Sequence, residues 1–174
     1  MRALREWATA CQALGQGETI LVVRKGGIHE PSFRVPADGE RFVLLPGRAH
    51  ERPELLVESW RGLTPDYRLR FGARVAGHWT IDHPAALEAL QGLHIWSSDY
   101  AEQRLRWRPT QSLAVVALRV HTLRAPISAP IVPGCRSWVE LRVDTVEGPA
   151  VLSDAAFEDH LGAISSVLER QIAA

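Results

Sequence analysis

The sequence predicts an α+β fold: a single domain built on a curved, mostly antiparallel sheet or small barrel, flanked by helices and finished by an amphipathic C-terminal helix. Three observations carry this. From Tyr67 to Ile81 the chain alternates, with Tyr67, Leu69, Phe71, Ala73, Val75, Trp79 and Ile81 on one parity and Arg68, Arg70, Arg74, His78 and Thr80 on the other. That is the pattern of a strand with one buried and one wet face. Other apolar runs are short and separated by turns or brief helices, which argues against a doubly wound parallel sheet. Finally, Phe157, Leu161, Ile164, Leu168 and Ile172 recur at helical spacing behind Ser153, a good N-cap.

Taken in order, Ala3 to Leu14 reads as a helix, with Leu4, Trp7, Cys11 and Leu14 along one side and Gly15 and Gly17 ending it. Thr19 to Val23 is an apolar, β-branched run, expected as a central strand, and Arg41 to Leu45 is a second strand closed by Pro46-Gly47. Pro53 to Leu63 is expected to be helical, with proline in the first turn. The long alternating strand follows, with Gly72 or Gly77 marking a bulge, or Ala76-Gly77 a tight turn. His83-Pro84 opens a helix to about Leu93, and a helical turn spans Tyr100 to Leu105. Leu113 to Leu123 reads as a buried strand. A proline-rich connection from Ala125 to Pro133 leads to a strand at Arg136 to Val143, and the amphipathic helix from Ser153 closes the chain.

The chain has 174 residues and balanced charge, with 20 basic and 20 acidic groups, a length suited to one domain with a real core. An apolar fraction of 46% excludes intrinsic disorder. No long apolar run and no basic-then-apolar leader occurs, so the expectation is a soluble cytoplasmic protein away from membranes. Two cysteines, Cys11 and Cys135, make neither a disulfide framework nor a zinc site, and no metal or cofactor is expected. The neutral total hides an asymmetry: Arg104 to Arg142 holds seven arginines and one acid, whereas Val143 onward holds six acids and one arginine. Zero net charge argues against nonspecific coating of nucleic acid but leaves a local basic face open. The bland alternative is that the acidic tail helix neutralises the basic strands.

Phosphate-loop, dinucleotide, zincin and nucleophile-elbow signatures are absent. Three constellations remain. A strand delivers Arg24-Lys25-Gly26-Gly27 with Glu30 five residues after Lys25, so glycine backbone approaches a ligand beside the chain's single lysine. An ammonium is a compact donor whose pKa moves on burial, which a guanidinium cannot imitate. Next, His94, Trp96 and Tyr100 are followed by Arg104, Arg106, Trp107 and Arg108, interleaved rather than segregated as stacking on a base and holding phosphate would require. The plainer reading makes Trp96 and Trp107 core plugs. Last, Gly134-Cys135-Arg136-Ser137-Trp138 presents a hydroxyl beside a strand start.

The blocks ALREWATACQALGQGETILVVRKGGIHE, LHIWSSDYAEQRLRWRP with LAVVALRVHTL, and PGCRSWVEL resemble the domain-of-unknown-function 1802 family of bacteria and archaea, over most of the chain to about Leu141. The resemblance implies no activity. It marks Arg24, Lys25, Gly26, Gly27, Glu30, His94, Trp96, Tyr100, Arg104, Cys135, Ser137 and Trp138 as family-type positions, and divides the domain into a family-like core, 1–143, and an acidic helical extension, 150–174. A shorter similarity is to the ASCH branch of the PUA-like superfamily. Its order of a Gly/Lys loop with a glutamate, then a strand, a proline connection and Gly-x-x-x-Trp is followed here by Lys25 to Glu30, Leu118 to Pro126 and Gly134 to Trp138. The threonine those proteins carry after the loop lysine is replaced by Gly26-Gly27. That similarity implies a small barrel with a cleft reading RNA or a modified nucleoside.

Three functions follow as expectations, in this order. The first is a binding module for a nucleotide, RNA or single-stranded DNA, with a cleft lined by Arg24, Lys25, Gly26, Gly27, Arg68, Arg70, Arg74, His94, Trp96, Tyr100, Arg104, Ser137 and Trp138. The second is a small hydrolase or nuclease in which Lys25 and Glu30 handle protons and His94 is the general base. The third is a protein-interaction module docking through the acidic helix, with a homodimer as the assembly to test.

Overall fold

One open, curled sheet of seven strands organises the chain, in a computed structural model that describes residues 1–25, 32–47, 51–107 and 109–172. The strands are β1 (Arg2–Trp7), β2 (Leu21–Arg24), β3 (Phe42–Gly47), β4 (Arg68–Ile81), β5 (Leu113–Ser128), β6 (Trp138–Glu140) and β7 (Glu147–Ala150). The helices are α1 (Ala8–Gln16), α2 (Pro84–Glu88), α3 (Ser98–Arg106) and α4 (Asp154–Ile172). The strand order is β2-β5-β4-β3-β1-β6, with β7 beside β5 past the end of β2. All pairs are antiparallel except β1 with β3. This is the mixed α+β domain with a curved, mostly antiparallel sheet that the sequence predicts.

Curvature brings the two ends of the sheet together. β2 and β6 lie at opposite ends of the order, yet Arg24 at the end of β2 donates to Ser137 Oγ, next to β6, at 2.9 Å and to Glu6 in β1 at 3.0 Å. Inside the curl lie Leu4, Val22, Phe42, Leu44, Ala73, Val116, Leu118 and Val120, closed from one side by Cys11 and Leu14 of α1. α1 fits this tightly because Gly15 lies against the Phe71 ring, which any Cβ there would overlap. Outside the curl, Leu21, Val23, Val115 and Ala117 pack under Leu87, Ile95, Trp96, Tyr100 and, from α4, Phe157, Ile164 and Leu168. Burying each such large side chain contributes roughly 1.5–3 kcal/mol.

Several local expectations are corrected. The first five residues of the expected helix belong to β1, paired with β3 from Ala3↔Val43 to Trp7↔Gly47, and the helix begins only at Ala8. An open β3 edge whose backbone groups need partners outweighs the helix propensity of Leu4, Arg5 and Glu6. Pro53 to Leu63 forms two 3-10 turns, Pro53–Leu55 and Glu58–Trp60, around the bridge Leu56↔Trp96. α2 is one short helix, capped by the His83 side chain accepting from Ala85 N at 3.2 Å. β5 runs five residues further than expected, into the proline-rich stretch, whereas β6 has three residues instead of eight. β7 was not foreseen; Glu-Gly-Pro-Ala carries no strand pattern, and Pro149 is tolerated because the strand lies at an edge.

β4 is a single strand whose register against β5 shifts twice, between Leu69 and Phe71 and again at Gly77. The register steps from Val75↔Leu118 to Gly77↔Ala117, leaving Ala76 as the extra residue. One consequence is invisible in the alternation. Phe71, Ala73 and Val75 face the inside of the curl, whereas Trp79 and Ile81, of the same parity, face the helices outside. On α4, Ser153 Oγ accepts from Ala156 N at 3.2 Å as the N-cap, and Phe157, Ile164 and Leu168 are buried; the side chain of Ile172 lies outside the described set. Arg119 pairs with Asp154 and covers the Phe157 ring at 4.6 Å, so the helix start partly neutralises the basic strand.

Candidate functional site

Among the described residues the buried carboxylate and the buried ammonium, Glu6 and Lys25, both lie at the seam where the sheet ends meet. β1 delivers Glu6 and β2 delivers Arg24 to the mouth of the curl, where their side chains are 3% and 12% exposed. Glu6 Oε2 accepts from Arg24 Nη1 at 3.0 Å, and its Oε1 accepts from the backbone N–H of Trp7 at 2.8 Å. Arg24 Nη2 donates to Ser137 Oγ, and the guanidinium stands 5.6 Å from the centre of the Phe33 ring. Its buried Nε has no hydrogen-bond partner among the described residues. Ser137 is itself buried and fixed by its carbonyl, which accepts from Arg5 N at 2.8 Å.

Lys25, one residue on, turns to the outer side of the sheet. Its Nζ donates to the carbonyls of Arg104 and Leu105, both at 3.0 Å, so the ammonium caps the C-terminus of α3, where a helix favours a cation. Burial, and then the neighbouring Arg104, hold this amine below its ordinary value. Arg104 Nε donates to Tyr100 Oη at 3.1 Å, and its guanidinium lies over the Tyr100 ring at 5.2 Å. Tyr100 is buried, stacked on Trp96 with centroids 5.0 Å apart and met edge-on by Trp7 at 5.8 Å. Burial raises the Tyr100 hydroxyl's pKa, against the lowering effect of the neighbouring Arg104.

The structure thus brings Arg24, Lys25, Tyr100, Arg104 and Ser137 to one place, with Glu6 and Trp7, which sequence reasoning passed over. The reason is local: both sat in a segment read as helix, where Trp7 belonged to the apolar stripe. Trp96 joins the cluster only from behind, as its ring is fully buried between Tyr100 and His94. Trp138 lies at the far side of the mouth, stacked on Phe33 at 5.7 Å, under Arg2 at 4.3 Å and donating to Arg34 O at 2.9 Å. Arg68 and Arg70 bind Asp66 at the start of β4, opposite the end of β5, while Arg24 pairs with Ala114 at the start of β5. Those two guanidiniums therefore stand a whole strand length from the seam. Arg74 contacts His121 at 3.0 Å on the outer sheet face. Gly26, Gly27 and Glu30 lie outside the described residues.

His94 belongs to the helical layer. Its Nδ1 accepts from Trp96 N at 3.2 Å, so Nε2 carries the proton and donates to Leu87 O at 3.1 Å. Burial holds the imidazole's pKa below its ordinary 6.5. The unfolded chain takes up a proton near that value while the folded one resists, so this contribution to stability is complete above pH 6.5 and is lost as pH falls below it. Denaturant melts at pH 7.5 and 5.5 are expected to show a smaller loss on acidification for His94→Gln than for the wild type; equal losses would remove this account.

Cys11 is buried, and burial followed by Glu6 and Glu51 pushes its thiol well above the ordinary value, leaving it unreactive. Glu51 accepts from Thr9 N at 3.0 Å at the start of α1. Among the described residues no three His, Cys, Asp or Glu side chains assemble as metal ligands would, and no helix is long and apolar enough to cross a membrane.

The match to the domain of unknown function DUF1802 runs over residues 3–162, through the seam and into the first half of α4. The chain belongs to this family. No curated protein matches it. Among solved structures, the DUF1802 chain is similar to the crystal structure of ASCH from Zymomonas mobilis, at 15% identity and a TM-score of 0.53, covering 95% of this chain and 93% of that one. It is similar also to a single-residue mutant of that protein, at 16% identity and a TM-score of 0.54, covering 81% and 87%. The DUF1802 chain therefore has an ASCH-like fold, as the shorter of the two resemblances implies.

Proposed function

We propose that this DUF1802 protein is a binding module for a nucleotide or a short single-stranded stretch of RNA or DNA, with the seam as its site. The observation that carries the reading is the charge balance there. Arg24 and Lys25 at the end of β2 and Arg104 of α3 stand at this seam, where Arg24 is paired with the carboxylate of Glu6 and Lys25 is bonded to the Arg104 carbonyl. Positive charge in excess at a partly desolvated place favours an anion, and a phosphodiester supplies one where guanidinium forks bind well. The ASCH-like fold supports the same reading, because that resemblance implies an RNA-reading cleft. RNA, single-stranded DNA and free nucleotides are the partners to be compared.

Fluorescence anisotropy of labelled RNA and DNA oligomers at low and high salt tests it. Binding is expected at low salt and weakens as salt rises, with a log–log slope of about −0.7 per phosphate neutralised. Arg104→Ala is expected to weaken binding and to lower that slope by about one such contact. Absence of binding at low salt, or an Arg104→Ala variant with unchanged affinity and slope, would overturn the proposal.

A further inference from the structure

We infer that Trp7 is the ring on which the ligand's base stacks, an inference that rests on the binding-module reading and goes further by assigning a base as well as a phosphate to the site. Of the aromatic residues first expected in this role, Trp96, Tyr100 and Trp138 are committed elsewhere, and Trp107 has the C-cap position of α3. Trp96 and Tyr100 are buried and stacked on each other, and Trp60 is buried in the same layer. Trp79 lies on the outer face of β4, with Leu161 of α4 beside Gly77. Trp138 has Phe33 on one side and Arg2 over its ring. Trp7 is half-buried against the outer core, and its plane stands at 85° to the Tyr100 ring rather than stacked on it.

Its position is fixed from both directions. Trp7 is the last residue of β1 and the N-cap of α1, and its N–H is held by the Glu6 carboxylate that also holds Arg24. The indole is therefore tied in register to the guanidinium, and a ring ordered before binding loses little freedom on binding. Across the parallel pair its partner is Gly47, so β3 places no side chain beside the indole. A side chain would be crowded there, since a Cβ on Gly47 would stand 3.1 Å from the Glu6 carbonyl. Tyr100, which Trp7 touches, also carries the partly buried Arg104 on its hydroxyl, so one ring links the indole to a guanidinium.

The test compares a short oligouridylate with an abasic strand of the same length and sugar-phosphate backbone. Wild-type protein is expected to prefer the base-bearing strand by about 10- to 100-fold, the range measured for stacking on an aromatic side chain. Trp7→Leu, checked for folding by its thermal melt, is expected to lose that preference while its affinity for the abasic strand stays the same. Trp7→Phe keeps a smaller ring in the same core position and is expected to retain part of the preference. If Trp7→Leu is too unstable to assay, Trp7→Phe decides, an unchanged preference counting against the inference. A folded Trp7→Leu variant with the wild-type preference would overturn the stacking role and leave the module reading standing. Failure of the wild type to bind either strand would overturn both.

Discussion

Glu6→Ala is expected to destabilise the protein by about 3–5 kcal/mol, because it leaves the Arg24 guanidinium buried without its counter-charge. For a chain of this size that corresponds to a fall in melting temperature of roughly 6–20 °C. The loss comes from stranding a charge rather than from forfeiting an attraction. Two comparisons separate these. Glu6→Gln keeps an acceptor for Arg24 and for the Trp7 amide, so its loss is expected to be smaller. The double replacement Glu6→Leu with Arg24→Met removes both charges and is expected to recover a large part of the stability, since buried pairs often cost more to desolvate than they return. A double variant as unstable as Glu6→Ala would show that the pair is needed for the seam to close.

Trp96→Ala is expected to be comparably severe, at about 3–5 kcal/mol, through the cavity it opens among Tyr100, His94 and the outer sheet face. The effect belongs to folding. Trp96→Phe, which keeps most of the volume, is expected to remain folded and to bind labelled oligomers with wild-type affinity in the anisotropy assay. A folded Trp96→Phe variant with binding weakened tenfold would place this ring in the recognition surface after all. Chemical denaturation and the binding isotherm, taken on the same preparations, give both readouts.

The contrast between Trp7 and Trp96 shows how much of the site could be read in the sequence. The residue types were legible: Arg24 and Lys25 at a strand end, Ser137 before a strand, and an arginine-rich aromatic stretch at 94–108. Which ring faces outward was not, because burial depends on what lies across the sheet. Trp96 is covered by Tyr100 one helical turn away and by a bridge to Leu56, and no local pattern encodes that bridge. Trp7 is half-buried and meets a glycine across β3, a pairing that only the β1–β3 register reveals. Lys25 illustrates the same limit: its solitary status drew notice, but its two partners are backbone carbonyls about eighty residues away.

The fold divides likewise. The long β4 strand, the α4 stripe and the N-cap at Ser153 are local patterns, and they appear where the sequence predicts them. The segment from Arg2 to Trp7 depends on an unpaired strand edge elsewhere in the chain, and helix propensity alone misreads it. The arginines of β4 show a third case. Arg68, Arg70 and Arg74 do share the polar parity, yet Asp66 and His121 occupy them, and strand length carries the first two away from the seam.

The extra residue at Ala76 ties two compartments to one length of chain. Phe71, Ala73 and Val75 are anchored within the curl and Trp79 and Ile81 beneath the helices, so neither compartment can loosen without pulling on the ribbon that also serves the other. The molecule should therefore melt in one step, and damage to the tail helix should be felt at the opposite end of the domain. Excising that single alanine would turn the final stretch of the strand over, presenting its polar residues to the helices and its indole to the inner chamber.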